Sequence, residues 1–479
     1  MTITPYQTPN PTTAPTPTFI PTPNPTRAAI VDPFEQQVHV VQFGDTLGVI
    51  AERYGVRVEA IVEANNLPNE NVLVVGQSLI IPTAIQAVGP SFKTIPDSEL
   101  VYGPSVGDFS VAAFLEGRNS YLARYTENIS GRNWSGPELI ERVAVEQSVN
   151  PRLLLAALEY QSRWISRSEV SGDDLLYPMG YYERPDRVFN LYLQLDWAAK
   201  QLQAGYYGWR IRGLAATTLI DGTRVGFAPG LNAGSVGVQT LLAQTRRLDE
   251  WRIAAGHAGL FDVYVRLFGD PFQYAVEPLV PTNLTQPPLA FPWADEETWY
   301  YTGGPHGGWG TSSAWAALDF AANEEPSGCF TSDYYARAVA DGVIARSEHG
   351  LVILDLDGDG DEGTGWTIFY LHVESEGRAV EVGDRVQVGD PIAFPSCEGG
   401  VSFSTHLHIA RRYNGEWIAA DCTNCLLNDG IAYPNMNFEG WTVFSFPREY
   451  DGSLIKGDDY REACACRADY NVFAPGNGN

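Results

Sequence analysis

At 479 residues the chain exceeds what one ordinary core accommodates and reads as about three domains. Hydrophobic residues make up 44% of it, enough for folded cores, yet no apolar run approaches the roughly 18 residues that a membrane span needs. The 31 basic and 58 acidic residues leave a formal charge of −27, a field that repels phosphate backbones and argues against nucleic-acid binding.

Residues 1–36 are a Thr/Pro-rich linker. Nine Pro and nine Thr fall within the first 33 positions, a composition that favours an extended tether over a core. Met1 is followed at once by Thr and Pro, so neither the charged nor the apolar part of an export signal is visible in this chain. From Val38 the texture changes. Val38-His39-Val40-Val41 is strand-like, and Leu47, Ile50, Ala51 and Tyr54 recur at helical spacing behind Asp45 or Thr46 as a cap. A second helical stretch, Val58 to Asn65, is broken by Asn66-Leu67-Pro68, and Leu79-Ile80-Ile81 closes as a strand. The pattern predicts a β-α-α-β unit over 38–82. The segments HVVQFGDTLGVIAERYGV, ANNLPN and LVVGQSLIIP resemble the LysM module over its whole length. That resemblance implies binding of N-acetylglucosamine-containing glycans, peptidoglycan or chitin, between two loops that present Gly44, Asp45, Thr46, Leu47, Asn65, Leu67 and Pro68. The same Gly, Asp and Asn residues also suit plain turns.

After a connector at 83–99, residues 100–275 read as mostly helical. The stretch from Val149 to Trp164 resembles the opening helix of lysozyme-like lytic transglycosylases, in which a Glu placed before the Ser protonates the glycosidic oxygen. Here Gln161 precedes Ser162, and an amide cannot donate that proton. Glu159, two positions earlier, lies about 200° round a helix and is a poor substitute. The expectation is a non-catalytic lysozyme-like domain, with an unrelated helical spacer as the alternative.

A Pro-rich linker at 276–292, with five prolines from Pro278 to Pro292, leads into a strand-and-turn region, 293–479. Five of the seven histidines lie there, among them His306, His372, His406 and His408. His406 and His408 are two apart on a predicted strand, so both rings share one face and can serve one metal. His306 stands in the Gly-rich run 303–308. Asp319 is flanked by Ala317, Leu318 and Phe320, as an inward-facing acid would be, and a buried acid needs a partner. His306, Asp319, Tyr370-Leu371-His372 and Thr405-His406-Leu407-His408, in that order, resemble the lysostaphin and LytM class of zinc metallopeptidases. The wide gap from His306 to Asp319 is similar to its beta-lytic subgroup. The resemblance implies Zn²⁺ held by His306, Asp319 and His408, with an open position for water. It places His372 and His406 as catalytic residues flanking that water, one taking a proton and the other stabilising the oxyanion, without assigning which.

Asp355, Asp357, Asp359 and Asp361 alternate along one turn, as the oxygens of a calcium loop do, although Trp366 stands where a helix-loop-helix site would place its last Glu. All six cysteines lie in the last third. Cys422 and Cys425 have the gap of a zinc ribbon, but the wall-directed features favour disulfides, with Cys329 to Cys397 the preferred pair. Cys464 and Cys466 are expected to bond elsewhere. The fold class expected is multidomain: a LysM module, a mostly helical lysozyme-like domain, and an all-β peptidase domain of duplicated-hybrid-motif type. The function expected is a secreted, extracellular or wall-associated zinc endopeptidase cutting the peptide part of peptidoglycan. The alternative is a non-catalytic wall-binding or hydrolase-activating protein on the same fold.

Overall fold

The structure, a computed structural model, describes residues 37–41, 45–54, 56–69, 73–82, 85–129, 131–182, 190–324, 328–423, 425 and 432–475. The expected Thr/Pro-rich linker at 1–36 lies outside the described residues.

The first unit is the predicted β-α-α-β. Strand β1 (Gln37–Val40) pairs antiparallel with β2 (Ser78–Ile81), and α1 (Leu47–Tyr54) and α2 (Val58–Ala64) pack on them. Its small core is Leu47, Ile50, Ala51, Ile61, Leu79 and Ile81, the apolar positions of the helical and strand periods. Thr46 caps α1, its Oγ1 accepting from the Val49 amide at 3.2 Å. Asn65 ties helix to strand. Its amide nitrogen donates to the Ile61 carbonyl at 2.8 Å and the Ile80 carbonyl at 2.7 Å, while its Oδ1 accepts from the Ile80 amide at 2.7 Å. Asn65→Ala strands those backbone groups and is expected to cost about 1–3 kcal/mol, read as faster amide hydrogen exchange at Leu79–Ile81.

The middle unit is built on helices whose ends the sequence specifies. Helix α3 (Gly136–Gln147) opens with a capping box in which the Ser135 amide donates to Glu138 at 2.7 Å. Asn150 caps α4 (Pro151–Ser162), which is apolar nearly all round and correspondingly buried. Helices α5 (Leu191–Ile211) and α6 (Ala233–Ala243) lie close because glycine stands at their crossing. A Cβ on Gly237 would sit 2.7 Å from the Leu202 carbonyl oxygen.

Among the described residues the last unit is all strand and turn. Its main sheet uses β3 (Trp299–His306), β4 (Ala317–Ala322), β5 (Gly342–Glu348), β6 (Leu351–Asp355), β7 (Trp366–Leu371), β8 (Arg385–Val386), β9 (Leu407–Tyr413) and β10 (Val472–Phe473). The spatial order is β8-β5-β6-β7-β9-β4-β3-β10, and every pairing along it is antiparallel. Period-two alternation gives the sheet two apolar faces. Phe320, Leu354, Tyr370 and Ile409 pack under Phe291, Trp293, Phe438 and Trp441. On the other face Ala317, Ile353, Phe369 and Ala410 share one core with Leu202, Tyr206 and Tyr207 of α5.

Two expectations are corrected. The Pro-rich stretch 276–292 is not a free spacer: Leu279, Val280 and Leu284 enter the shared core, and Leu289 and Phe291 enter the other. Cys464 bonds Cys466, because Asn471 holds both of their carbonyls, at 3.2 and 2.9 Å, and folds the turn so that the two sulfurs face each other. The other bridges are Cys329–Cys397, as preferred, and Cys422–Cys425, which uses the thiols a zinc ribbon would need.

Candidate metal centre

Three neighbouring strands bring His306, Asp319 and His408 together. His408 is in register with Asp319 across β9 and β4, and Asp319 faces Gly303 across β4 and β3. Gly303 is required there, because a Cβ would sit 2.5 Å from the Asp319 Oδ2. All three metal-ligand candidates are buried. His306 Nε2 lies 3.0 Å from His408 Nδ1 and 3.2 Å from Asp319 Oδ1, and His408 Nδ1 lies 3.4 Å from that same oxygen.

The backbone fixes both tautomers. His306 Nδ1 is 2.8 Å from the Gly304 carbonyl and His408 Nε2 is 3.0 Å from the Gly308 carbonyl. A carbonyl only accepts, so each of these nitrogens carries the proton, and the other nitrogen of each ring offers a lone pair to the centre. Two imidazole lone pairs therefore face each other across 3.0 Å beside a buried carboxylate oxygen, Asp319 Oδ1, that has no hydrogen-bond partner. Three lone pairs converging in this way repel one another unless a cation sits among them. Ligands about 2.0–2.1 Å from a tetrahedral zinc lie about 3.3 Å apart, which matches the three separations. The donor set, two neutral imidazoles and one carboxylate, fits Zn²⁺.

Protonation follows from burial and from the one acid. Burial alone would raise the Asp319 pKa, but the surrounding histidines, led by His306, hold its carboxyl well below the usual range. Burial opposes a charge on His306, yet Asp319 and the Gly304 carbonyl outweigh it and the ring is shifted up. For His408 burial wins and the shift is down. The single carboxylate supports a proton on one ring only.

His372 and His406 stand beside this triad. Their ring centroids are 4.7 Å apart, and His372 lies 5.9 Å from His408. His372 Nδ1 donates to the Glu398 carbonyl at 3.1 Å and His406 Nδ1 to the Ser404 carbonyl at 2.8 Å, leaving both Nε2 atoms as acceptors. His406 Nε2 is 3.5 Å from Asp319 Oδ1. Burial, then the neighbouring imidazoles, push His372 down to about 3, which favours the neutral ring. Thus all five residues expected at the site are brought together.

Sequence reasoning missed Tyr450, whose ring stacks on His306 at 4.2 Å, and Glu449, which accepts from the Gly307 amide at 3.0 Å. Both come from a turn in the C-terminal extension, where no spacing pattern marks them. Burial, then Asp319 and Glu449, push the Tyr450 phenol up to about 12.

The other expected sites fare differently. In the acidic turn the carboxylates already have donors: Asp355 accepts from the Asp357 and Gly360 amides at 3.0 and 2.8 Å, Asp359 from Asp361 at 2.7 Å, and Asp361 from Gly363 at 2.8 Å. The turn is closed by its own backbone, and calcium finds no support there. Gln161 accepts from Arg246 at 2.9 Å in a crevice of about 10 Å³, too small for a sugar. Glu159 is buried and accepts from the Ile165 and Ser166 amides, so it serves the helix end. Of the expected glycan contacts, Gly44 lies outside the described residues. Leu47 is a correction: its side chain is core, only 2% exposed. Asp45 pairs with His39 at 2.7 Å, and Thr46 and Asn65 serve the backbone, which leaves exposed Pro68 and the half-buried Leu67 on the surface.

Family models match at two places: the LysM domain over residues 39–82, and the LasA N-terminal domain over residues 93–283. The chain carries a LysM domain and a LasA N-terminal domain. The second includes the helix compared above with lysozyme-like enzymes. Among curated proteins the chain is similar to N-acetylmuramoyl-L-alanine amidase XlyA of Bacillus subtilis (strain 168), 34% identical over 118 residues, which are 24% of this chain and 40% of that protein. It is also similar to the cortical fragment-lytic enzyme of the same organism, 48% identical over 50 residues, 10% of this chain and 12% of that one. The chain thus spans well under two thirds of either relative's length. Among solved structures it is similar to the M23 metalloprotease pseudoalterin from deep-sea, 21% identical over 39% of this chain and 100% of that one, TM-score 0.30. The lysostaphin catalytic domain from Staphylococcus simulans is 20% identical over 26% of this chain and 85% of that one, TM-score 0.17. No helix among the described residues is long and apolar enough to cross a membrane.

Proposed function

We propose that the chain is a zinc-dependent peptidoglycan hydrolase, an endopeptidase acting on stem peptides or cross-bridges, held at the wall by its LysM domain. The observation that carries this reading is the convergence of His306 Nε2, His408 Nδ1 and the partnerless Asp319 Oδ1, with two further imidazole acceptors beside them. A zinc ion held there supplies Lewis acidity that brings the pKa of water towards neutrality and polarises a carbonyl. His372 and His406 both present an Nε2 lone pair beside the triad, so either ring can take a proton from water, and the ring that has taken it can then donate that proton to a developing oxyanion. Three disulfides fit an oxidising location outside the cell.

The test is digestion of purified peptidoglycan by the zinc-loaded full chain, with mass spectrometry of the soluble products. New free amino groups without new reducing sugar ends are expected, lost on chelation and restored by zinc. Bound peptidoglycan with no new termini would leave a wall-binding protein instead.

A further inference from the structure

His372 and His406 border the strands that hold the triad, one residue past β7 and one residue before β9, and each stretch has further contacts of its own. His306, Asp319 and His408 are fixed by pairing among β3, β4 and β9 and by the carbonyls of Gly304 and Gly308. His372 lies one residue beyond β7 with a left-handed backbone, φ 61°, which β-sheet pairing does not enforce. It is gripped from two sides instead. Its carbonyl accepts from the Ser396 amide at 2.6 Å and the Ser396 Oγ at 3.3 Å, and its ring donates to the Glu398 carbonyl at 3.1 Å. The residue between Ser396 and Glu398 is Cys397.

The residue before the other histidine is held in a similar way. Thr405, immediately before His406, donates its amide to the Gly328 carbonyl at 2.9 Å, and its hydroxyl both accepts from the Phe330 amide at 2.8 Å and donates to the Phe330 carbonyl at 2.5 Å. The residue between Gly328 and Phe330 is Cys329. The Cys329–Cys397 bond therefore joins the middles of two three-residue segments, one that holds His372 and one that holds Thr405, next to His406.

The geometry points to Cys329 and Cys397 as positioning residues: their disulfide sets the spacing of the His372 and His406 rings and leaves the metal triad untouched. This rests on the hydrolytic reading above. A bridge that only restricts the unfolded chain would lower stability without separating metal binding from turnover. A bridge that places two rings acts on the rate, where a displacement of about 1 Å costs on the order of 10²-fold.

The experiment compares the zinc-loaded full chain with a Cys329→Ser/Cys397→Ser double variant and with Cys422→Ser/Cys425→Ser as control. Metal content, kcat and KM on a peptide that the wild type cleaves, and ring ¹⁵N spectra are measured on each. The expected result is one zinc per chain throughout, KM within about twofold, kcat about 10²-fold lower in the first variant only, and loss there of the protected Nδ1–H signals of His372 and His406. The His306 and His408 signals persist. Unchanged kcat and ring signals, or zinc lost in step with kcat, would overturn the inference. If the double variant does not fold, Thr405→Val removes the two hydroxyl bonds to Phe330 and loosens that segment alone, and an unaltered kcat with unaltered His406 signals would overturn it equally. A wild type that cleaves nothing sinks the hydrolytic reading, and the ring spectra still decide the role of the bridge.

Discussion

His408→Ala is expected to remove zinc and hydrolysis together, from one metal per chain to none and with a rate loss of at least about 10³-fold. The reason lies in the centre's economy of ligands: His306, Asp319 and His408 are the protein donors that meet there, and without one imidazole the other two hold a divalent ion poorly. His372→Ala separates the two effects. It leaves the triad intact, so zinc should stay at one per chain while turnover falls by about 10²–10⁴-fold, the usual worth of a proton-transfer group. Metal analysis of both variants beside product release distinguishes these outcomes, and zinc retained at wild-type level in His408→Ala would remove that ring from the ligand set. Acidification should act at the same place. Asp319 raises the His306 pKa above its ordinary value of about 6.5, so protons compete for that lone pair before they compete for His408, which burial shifts down. Zinc affinity is thus expected to fall as pH drops through the neutral range, with Asp319 still ionised, and equilibrium dialysis from pH 8 to pH 5 would show it.

Chemistry that demands particular residue types in a fixed order was legible in the sequence. A strand puts His406 and His408 on one face and an acid between apolar neighbours needs a partner, and the resemblance to the lysostaphin and LytM class carried by these motifs implied the full set of five site residues. The β-α-α-β unit was legible because Leu47, Ile50, Ala51 and Tyr54 keep the helical period and Leu79 and Ile81 the strand period. What escaped depends on partners distant in sequence. Leu47 was expected at a glycan because it borders a loop, yet the same residue opens the helical stripe, and burial decided in favour of the core. The acidic turn showed carboxylates at metal spacing but not the backbone amides that fill them. Leu279 and Phe291 sit among prolines that read as a spacer, and only the two faces of the sheet reveal where they go. Tyr450 has no local signature at all.

Arg210→Met is expected to destabilise the LasA N-terminal domain and the β-rich unit together, by about 3–5 kcal/mol, because it leaves a buried acid without its cation. Glu416 follows β9 at the foot of the main sheet and is fully buried. Its Oε1 accepts from Arg210 Nε at 2.6 Å and from the Tyr433 hydroxyl, and its Oε2 accepts from the Tyr206 hydroxyl at 2.9 Å. Arg210 and Tyr206 belong to α5 and Glu416 to the sheet, so the cluster bolts one unit to the other inside their shared core. The opposite deletion is milder, since in Glu416→Gln the guanidinium keeps Asp97 at 3.6 Å. The pH dependence separates a lost charge partner from lost packing. Burial pushes the Glu416 pKa up against the pull of Arg210, and without Arg210 its remaining partners, the Tyr206 and Tyr433 hydroxyls, carry no positive charge to oppose that rise. A carboxyl whose folded pKa lies above its unfolded value of about 4.3 contributes stability below that pH and loses it as pH climbs through the folded pKa. Arg210→Met should therefore be least destabilised near pH 4.5 and most destabilised near pH 7.5, in chemical denaturation followed by tryptophan fluorescence. A deficit equal at the two pH values would assign the effect to the missing side-chain volume. A variant in which the helical unit unfolds while the sheet keeps its signal would show that the shared core does not make the two units one cooperative body.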